Sequence, residues 1–428
     1  MKETLDRTKA PTIYSLEDFL LPRPERFILP NGAKLYLLGS GVQPVVNVQI
    51  NFSTGRHVGK QKAIAFLTSK MLLEGTAQHS ATALTEAIDY LGASIELHCS
   101  TDHSEIEFYC LRKHLPAMLE IVCQMLKDSV FPPSQLDKLK KITTQNIRIN
   151  LEKTSFVATN LLKENLFGRE HPYGSVITEE QVNSCQVDEI VQFYREFYAD
   201  KPFEVIAVGQ LSPEEVGLFA STLGALPILT SMPETLSGEA LPNQVFTLSQ
   251  PKEGAVQSSV RIGKVIPLKG GKHHSDYLAL SMLVEALGGY FGSRLMQNIR
   301  EQKGLTYGIY AHLNTLQQAT YLAIGADVKK ELQQVAIEEI FKEIEKLTTT
   351  PLTREEVERV RRHMQGTFIS SLNTIFGIGN CYKSIYYYQL PENYYDCYVS
   401  SLEKITTEDL LAMAQKYLQG GFGTVSVG

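Results

Sequence analysis

Two stretches of this 428-residue chain run in parallel for most of their length, and that repetition constrains the fold more than any other feature. Val46, Val48, Ile50 and Phe52 alternate with Asn47, Gln49 and Asn51, the period of a half-buried strand. Val260 and Ile262, alternating with Ser259 and Arg261, open its counterpart. Each is followed by a helical segment ending in glycine, over 66–75 and 277–289. Strands over 105–111 and 321–327 come next. Long amphipathic helices follow, carried by Leu115, Met118, Leu119 and Val122 in one half and by Leu332, Val335, Ile340 and Ile344 in the other. Pro116 sits in a first helical turn, where its missing N–H does no harm. Phe131-Pro-Pro-Ser134 and Thr350-Pro-Leu-Thr353 each open a charged helix. Both halves finish alike, Val205-Ile-Ala-Val-Gly209 and Thr424-Val-Ser-Val-Gly428, 219 positions apart.

A repeat of that length is a duplicated domain, since solenoid units run only ~20–50 residues. Strands and helices interleave within each half. The expected class is therefore α+β, two homologous domains, each a mostly antiparallel mixed sheet with helices packed on it. The expected division is an extended lead over 1–26, a first domain over 27–225, a linker over 226–244 and a second domain over 245–428. Pro227, Pro233, Gly238 and Pro242 break any regular element in the linker.

Composition narrows the function classes. A formal net charge of −6, spread without long runs, argues against nucleic acid as a partner. Six cysteines show no C-x-x-C pair, and a chain this long needs no disulfide staples, so reduced, packed thiols are expected. No apolar run approaches the ~18 residues of a membrane span. The charged stretch at 1–10 has no apolar signal core, which points to the cytoplasm; only a trimmed precursor would allow the periplasm.

The chemistry rests on two segments. The first is Phe66-Leu-Thr-Ser-Lys-Met-Leu-Leu-Glu-Gly-Thr76. It resembles the metal-binding helix of the pitrilysin/insulinase zinc peptidases, the family that includes the mitochondrial processing peptidase subunits. There the helix reads roughly H-F-L-E-H-M-L-F-x-G-T, an inverted H-x-x-E-H signature. Aligned on Met71-Leu72 and Gly75-Thr76, this chain has Phe66, Ser69 and Lys70 where the family has His, Glu and His. Phenylalanine cannot ligate, serine cannot act as the base that activates zinc-bound water, and a protonated lysine repels a dication. No histidine lies between His57 and His79, so the loss does not depend on the alignment. The family's third ligand, a glutamate on a later helix, falls near Asn146.

The second segment, Ser293-Arg-Leu-Met-Gln-Asn-Ile-Arg300-Glu-Gln-Lys-Gly304-Leu-Thr-Tyr307-Gly-Ile-Tyr310, resembles the family's substrate-contacting element. The resemblance implies that Arg300 holds a substrate carbonyl and that Tyr307 donates to the developing oxyanion. Gly304 is placed to end the helix in a left-handed cap and turn the chain into a strand over 305–311. The bland reading is an arginine in a last helical turn, favoured by the helix dipole, beside a strand-forming tyrosine.

Other arrangements are weaker. Gly288, Gly289 and Gly292 lack the G-x-x-x-x-G-K-[ST] pattern of a phosphate loop. His98 and His103 flank Cys99 and Asp102, yet on extended chain they point to opposite faces, so joint ligation needs a turn between them. His273 and His274 are neighbours, which rarely chelate one ion together. A Ser69–Lys70 dyad needs a desolvated lysine, and adjacent helical residues diverge by about 100°.

The resemblance therefore implies two similar domains facing each other across a peptide, in a family member without its own zinc. It implies a metallopeptidase homologue inactive alone, holding substrate for an H-x-x-E-H-bearing partner that carries the zinc, and binding no cofactor itself. A structural subunit of the respiratory-complex core type, or a peptide-binding homodimer without proteolysis, are the alternatives.

Overall fold

The computed structural model describes residues 7–8, 19–58, 62–229 and 245–428. The first half runs β1 (Glu25–Ile28), β2 (Lys34–Gly39), β3 (Val45–Phe52), α1 (Lys62–Met71), α2 (Ala81–Tyr90), β4 (Ser94–Cys99) and β5 (Ser104–Leu111). It continues through α3 (Leu115–Asp128), α4 (Pro133–Leu151), α5 (Thr154–Phe167), α6 (Glu179–Ser184), α7 (Val187–Phe197), β6 (Glu204–Gly209) and α8 (Val216–Ser221). The second half holds β7 (Phe246–Gln250), β8 (Gln257–Ile266), α9 (Tyr277–Val284), β9 (Thr306–Thr315), β10 (Thr320–Lys329), α10 (Gln333–Thr349) and α11 (Arg354–Ser371). It ends with α12 (Ile375–Tyr388), α13 (Tyr398–Glu403), α14 (Thr407–Met413) and β11 (Gly423–Val427).

Two mixed sheets result, ordered β1-β2-β6-β3-β5-β4 and β7-β11-β8-β10-β9. The run β2-β6-β3-β5-β4 matches β7-β11-β8-β10-β9 in order, and β1 is an additional edge strand of the first sheet. In each, the last strand of the half pairs in parallel with an early one, β6 with β2 and β11 with β7. The remaining ladders are antiparallel. The matched segments ending near Gly209 and Gly428 are thus the equivalent strands β6 and β11. Of the expected linker, residues 230–244 lie outside the described residues, as does most of the expected lead. The lead's end is not free chain: Leu21 is buried and β1 already begins at Glu25.

The alternation in β3 and β8 is real, but the expectation of half-buried strands needs correction. Asn47 is 1% exposed and Gln49 2% exposed, and Ser259 and Arg261 are equally hidden. Both faces are covered, and the second cover comes from the other half. One face of the first sheet packs Val46, Val48 and Ile50 against Leu67 and Met71 of α1 and Met118 and Leu119 of α3. On the opposite face, Tyr36, Leu38, Ile206 and Val208 meet Cys381, Tyr382 and Ile385 of α12. The second sheet reciprocates: Val265, Tyr321, Val425 and Val427 meet Ala158, Leu162 and Leu166 of α5. Each half lends a helix to the other's sheet.

Polar groups buried on these faces have to be paired. Asn47 and Gln49 donate to Glu107 Oε1 at 2.9 and 3.1 Å. Arg261 donates from Nε to Thr159 of α5 at 3.2 Å and from Nη1 to Asp327 at 3.2 Å.

Candidate functional site

The helix that would carry the metal is α1, and the structure disperses its three altered positions. Phe66 packs against the first core and lines a cavity of about 330 Å³, which it shares with Asn146 of α4. Phe66 and Asn146 are thereby brought together. Ser69 is 2% exposed, close to the buried Tyr198, whose phenol burial holds well above its ordinary value. Lys70 sends its Nζ to the carbonyl of Leu97 at 2.6 Å, on the edge strand β4. An ammonium that donates to a carbonyl has no lone pair for a metal.

The residues present do not fit zinc. The cavity beside Phe66 is lined by the cations Arg56 and Lys163 rather than by carboxylates or imidazoles. Among the described residues no group of three His, Cys, Asp or Glu side chains could hold a metal ion. His98 lies 3.3 Å from Glu96 and 3.7 Å from Glu107. His103 sits apart from it in the 100–103 turn, its ring against Tyr387 and its Nδ1 2.9 Å from Ser100 Oγ. Burial and the nearby Lys383 charge lower His103 to about 4, so it is neutral at physiological pH. His273 Nε2 meets the Tyr388 carbonyl at 2.7 Å, while His274 Nδ1 accepts from Asp276 N.

Arg300 and Tyr307 are arranged as a helix end and a strand. The helical turn Met296–Gln302 closes through Gly304 N to Arg300 O at 3.0 Å and Leu305 N to Ile299 O at 2.9 Å. Gly304 has φ +60°, the left-handed conformation that glycine adopts freely. The chain then enters β9, the edge strand of the second sheet. Tyr307 is 93% exposed, and its hydroxyl has no partner among the described residues. The Arg300 guanidinium lies 5.0 Å from the Phe291 ring centroid, with Nε 3.4 Å from Glu301 Oε1. Neither residue is locked in a buried pair, and neither lines the 330 Å³ cavity.

What holds this turn in place is the face of α10. Asn298 donates to Glu339 at 3.1 Å and to Glu343 at 2.7 Å, and Lys303 pairs with Glu339 at 2.9 Å. The sequence gives no local sign of these supports, because a lysine–glutamate pattern on a helix reads as a solvated face. Arg56 and Lys163 were equally unmarked: one follows a strand, the other sits on a helix, and only the fold brings them to Asn146.

Comparison with known proteins agrees with this geometry. Residues 39–179 match the family model "Insulinase (Peptidase family M16)", and residues 184–364 match "Peptidase M16 inactive domain". The chain is 24% identical over 356 residues to the "uncharacterized zinc protease YmxG" of Bacillus subtilis, covering 82% of this chain and 85% of that one. It is 24% identical over 361 residues to the "non-peptidase homolog YmxG" of Helicobacter pylori, covering 82% and 80%. Among solved structures, an M16 inactive-domain protein from Pseudomonas fluorescens superposes with a TM-score of 0.86 at 21% identity, covering 95% of this chain and 98% of that one. A Helicobacter pylori protease superposes with a TM-score of 0.85 at 19% identity, covering 95% and 100%. No helix among the described residues is long and apolar enough to cross a membrane. The chain belongs to the insulinase peptidase family M16, as a member whose metal-binding helix carries Phe66, Ser69 and Lys70 in place of the zinc motif.

Proposed function

We propose that this chain is the metal-free, substrate-holding subunit of a two-chain zinc peptidase, with Arg300 and Tyr307 meeting the peptide. In this reading the zinc belongs to a homologous H-x-x-E-H-bearing partner, and the chain alone hydrolyses nothing. The carrying observation is the pairing of a non-ligating α1 with an exposed phenol at Tyr307, unpartnered and one turn beyond a guanidinium. A residue kept for packing would be buried and satisfied; Tyr307 is neither. Because β9 is an edge strand, its outer main-chain groups also suit an extended peptide. The names "inactive domain" and "non-peptidase homolog", given to the Pseudomonas and Helicobacter relatives, accord with a branch that has given up its own metal. The same reading divides the chain into two peptidase-like domains within 226–244.

The test is a mixed complex with a zinc-bearing homologue, assayed on a fluorogenic peptide. Arg300→Ala and Tyr307→Phe should lower kcat/KM, by as much as ~10²–10³ if Tyr307 is a sole oxyanion donor. The elution volume of the complex should not change. Zinc-dependent hydrolysis by this chain alone, or unchanged rates in both variants, would overturn the proposal.

A further inference from the structure

The cavity beside Phe66 and Asn146 lies where the resemblance would put a metal, yet its charge has the opposite sign. Arg56 and Lys163 line it together with Asn146, Asn150 and Asn160, and no acidic side chain is among its lining residues. Arg56 is held firmly. Its backbone N–H donates to Ser100 O at 2.9 Å, and its Nη2 donates to Thr101 Oγ1 at 3.3 Å. This close docking of two loops requires Gly55, whose Cβ would stand 2.3 Å from Thr101 O. The Arg56 Nε is buried and has no partner.

Lys163 approaches from α5, and its ammonium has no hydrogen-bond partner among the described residues. Burial, and then the Arg56 charge, hold its pKa below the ordinary lysine value. Lys62 adds a third positive charge felt by His171; of the acids behind the cavity wall, Glu170 acts on Lys62 and Asp102 acts on His171 and holds the Tyr173 hydroxyl. Two half-buried cations that are paired with no carboxylate among the described residues are costly, and an oxyanion between them would satisfy both.

We propose that this cavity binds a carboxylate carried on an apolar body, namely the free C-terminal residue of a peptide. The walls select that body. Phe66, Phe156, Ile147 and Ile177 line the same space, and about 330 Å³ is far more than a bare inorganic anion needs. The neutral amides of Asn146, Asn150 and Asn160 can serve the peptide's own N–H and C=O groups. Where a glutamate at 146 would oppose such a ligand, asparagine admits it. The inference deepens the reading of the chain as a peptide holder, and it needs no zinc-bearing partner.

Calorimetric titration of the isolated full chain tests it. N-acetyl-alanyl-phenylalanine should bind, and its C-terminal amide should bind about tenfold more weakly or worse. Lys163→Met should weaken the free acid by a similar factor with an unchanged circular dichroism spectrum. If that variant does not fold, Asn146→Glu should have the same effect by placing a carboxylate in the cavity. Equal affinity for acid and amide, no binding of either, or undiminished binding by the variants would overturn the proposal. Binding of inorganic phosphate without the dipeptide acid would overturn the peptide assignment in favour of a free oxyanion. Hydrolysis by the mixed complex reads Arg300 and Tyr307 separately, so either proposal can fail without the other.

Discussion

Glu339 shows how the turn that carries Arg300 is fixed by a residue on a different helix. Its carboxylate accepts from Lys342 and Lys303 and from the amide of Asn298, and so braces the segment on both sides of Arg300. Those bonds, the one from Lys342 first, hold its pKa down from 4.5 to about 2. A carboxyl lower in the folded than in the unfolded state stabilises the fold above the unfolded value. That contribution should be fully present above about pH 4.5 and disappear as pH falls toward about 2. Thermal unfolding measured across that window should show wild type losing stability more steeply than Glu339→Gln; parallel curves would exclude the role. At this scale, the arrangement of Arg300 at a helix end and Tyr307 on the following strand was legible because their seven-residue spacing and the intervening Gly304 form one local pattern. Asn146 was singled out only as the place of a lost ligand, and Arg56 and Lys163 were not singled out at all, since no periodicity links a post-strand turn with residues on two different helices.

Among elements, the connection from the 296–302 turn to β9 was readable in detail. A glycine cap was expected at 304, and the backbone there has φ +60°. A Cβ at this position would meet nothing within 4 Å, so Gly304→Ala tests the backbone conformation alone. The expected loss is about 1 kcal/mol in urea denaturation, from the left-handed conformation. A loss near zero would mean that the turn relaxes, and the 296–302 turn would then no longer be fixed against β9. The strands were legible in position and only half legible in environment. Alternation in β3 identified the core face correctly, but Asn47 and Gln49 were expected to meet water. They are buried because α12, more than 300 residues onward in the chain, covers them. Periodicity reports which side of a strand is polar, and it cannot report that a helix from another domain has been laid over that side.

At the scale of the whole molecule, the exchange of α5 and α12 makes each half incomplete without the other. The turn 100–103 and the first residues of β5 are the polar centre of that junction. Asp102 accepts from Tyr173 at 2.8 Å within the first half, and from Gln317 N at 3.2 Å and Tyr387 at 3.3 Å in the second. Glu105, 3% exposed, takes both oxygens' bonds from Lys383 Nζ of α12 at 2.6 Å. Apolar clusters surround the pair, each large side chain contributing about 1.5–3 kcal/mol when fully buried, so the junction does not depend on one ion pair. Removing only Lys383 nevertheless strands a buried carboxylate. Lys383→Met should therefore cost about 3 kcal/mol or more, whereas Lys383→Met combined with Glu105→Gln should recover most of that loss. Guanidinium denaturation followed both by tyrosine fluorescence and by far-ultraviolet circular dichroism checks this. Because the two halves cover each other, both probes should report a single transition in wild type and in the double variant. Two separated transitions in wild type would show that the halves fold independently and that the exchanged helices hold them together only loosely.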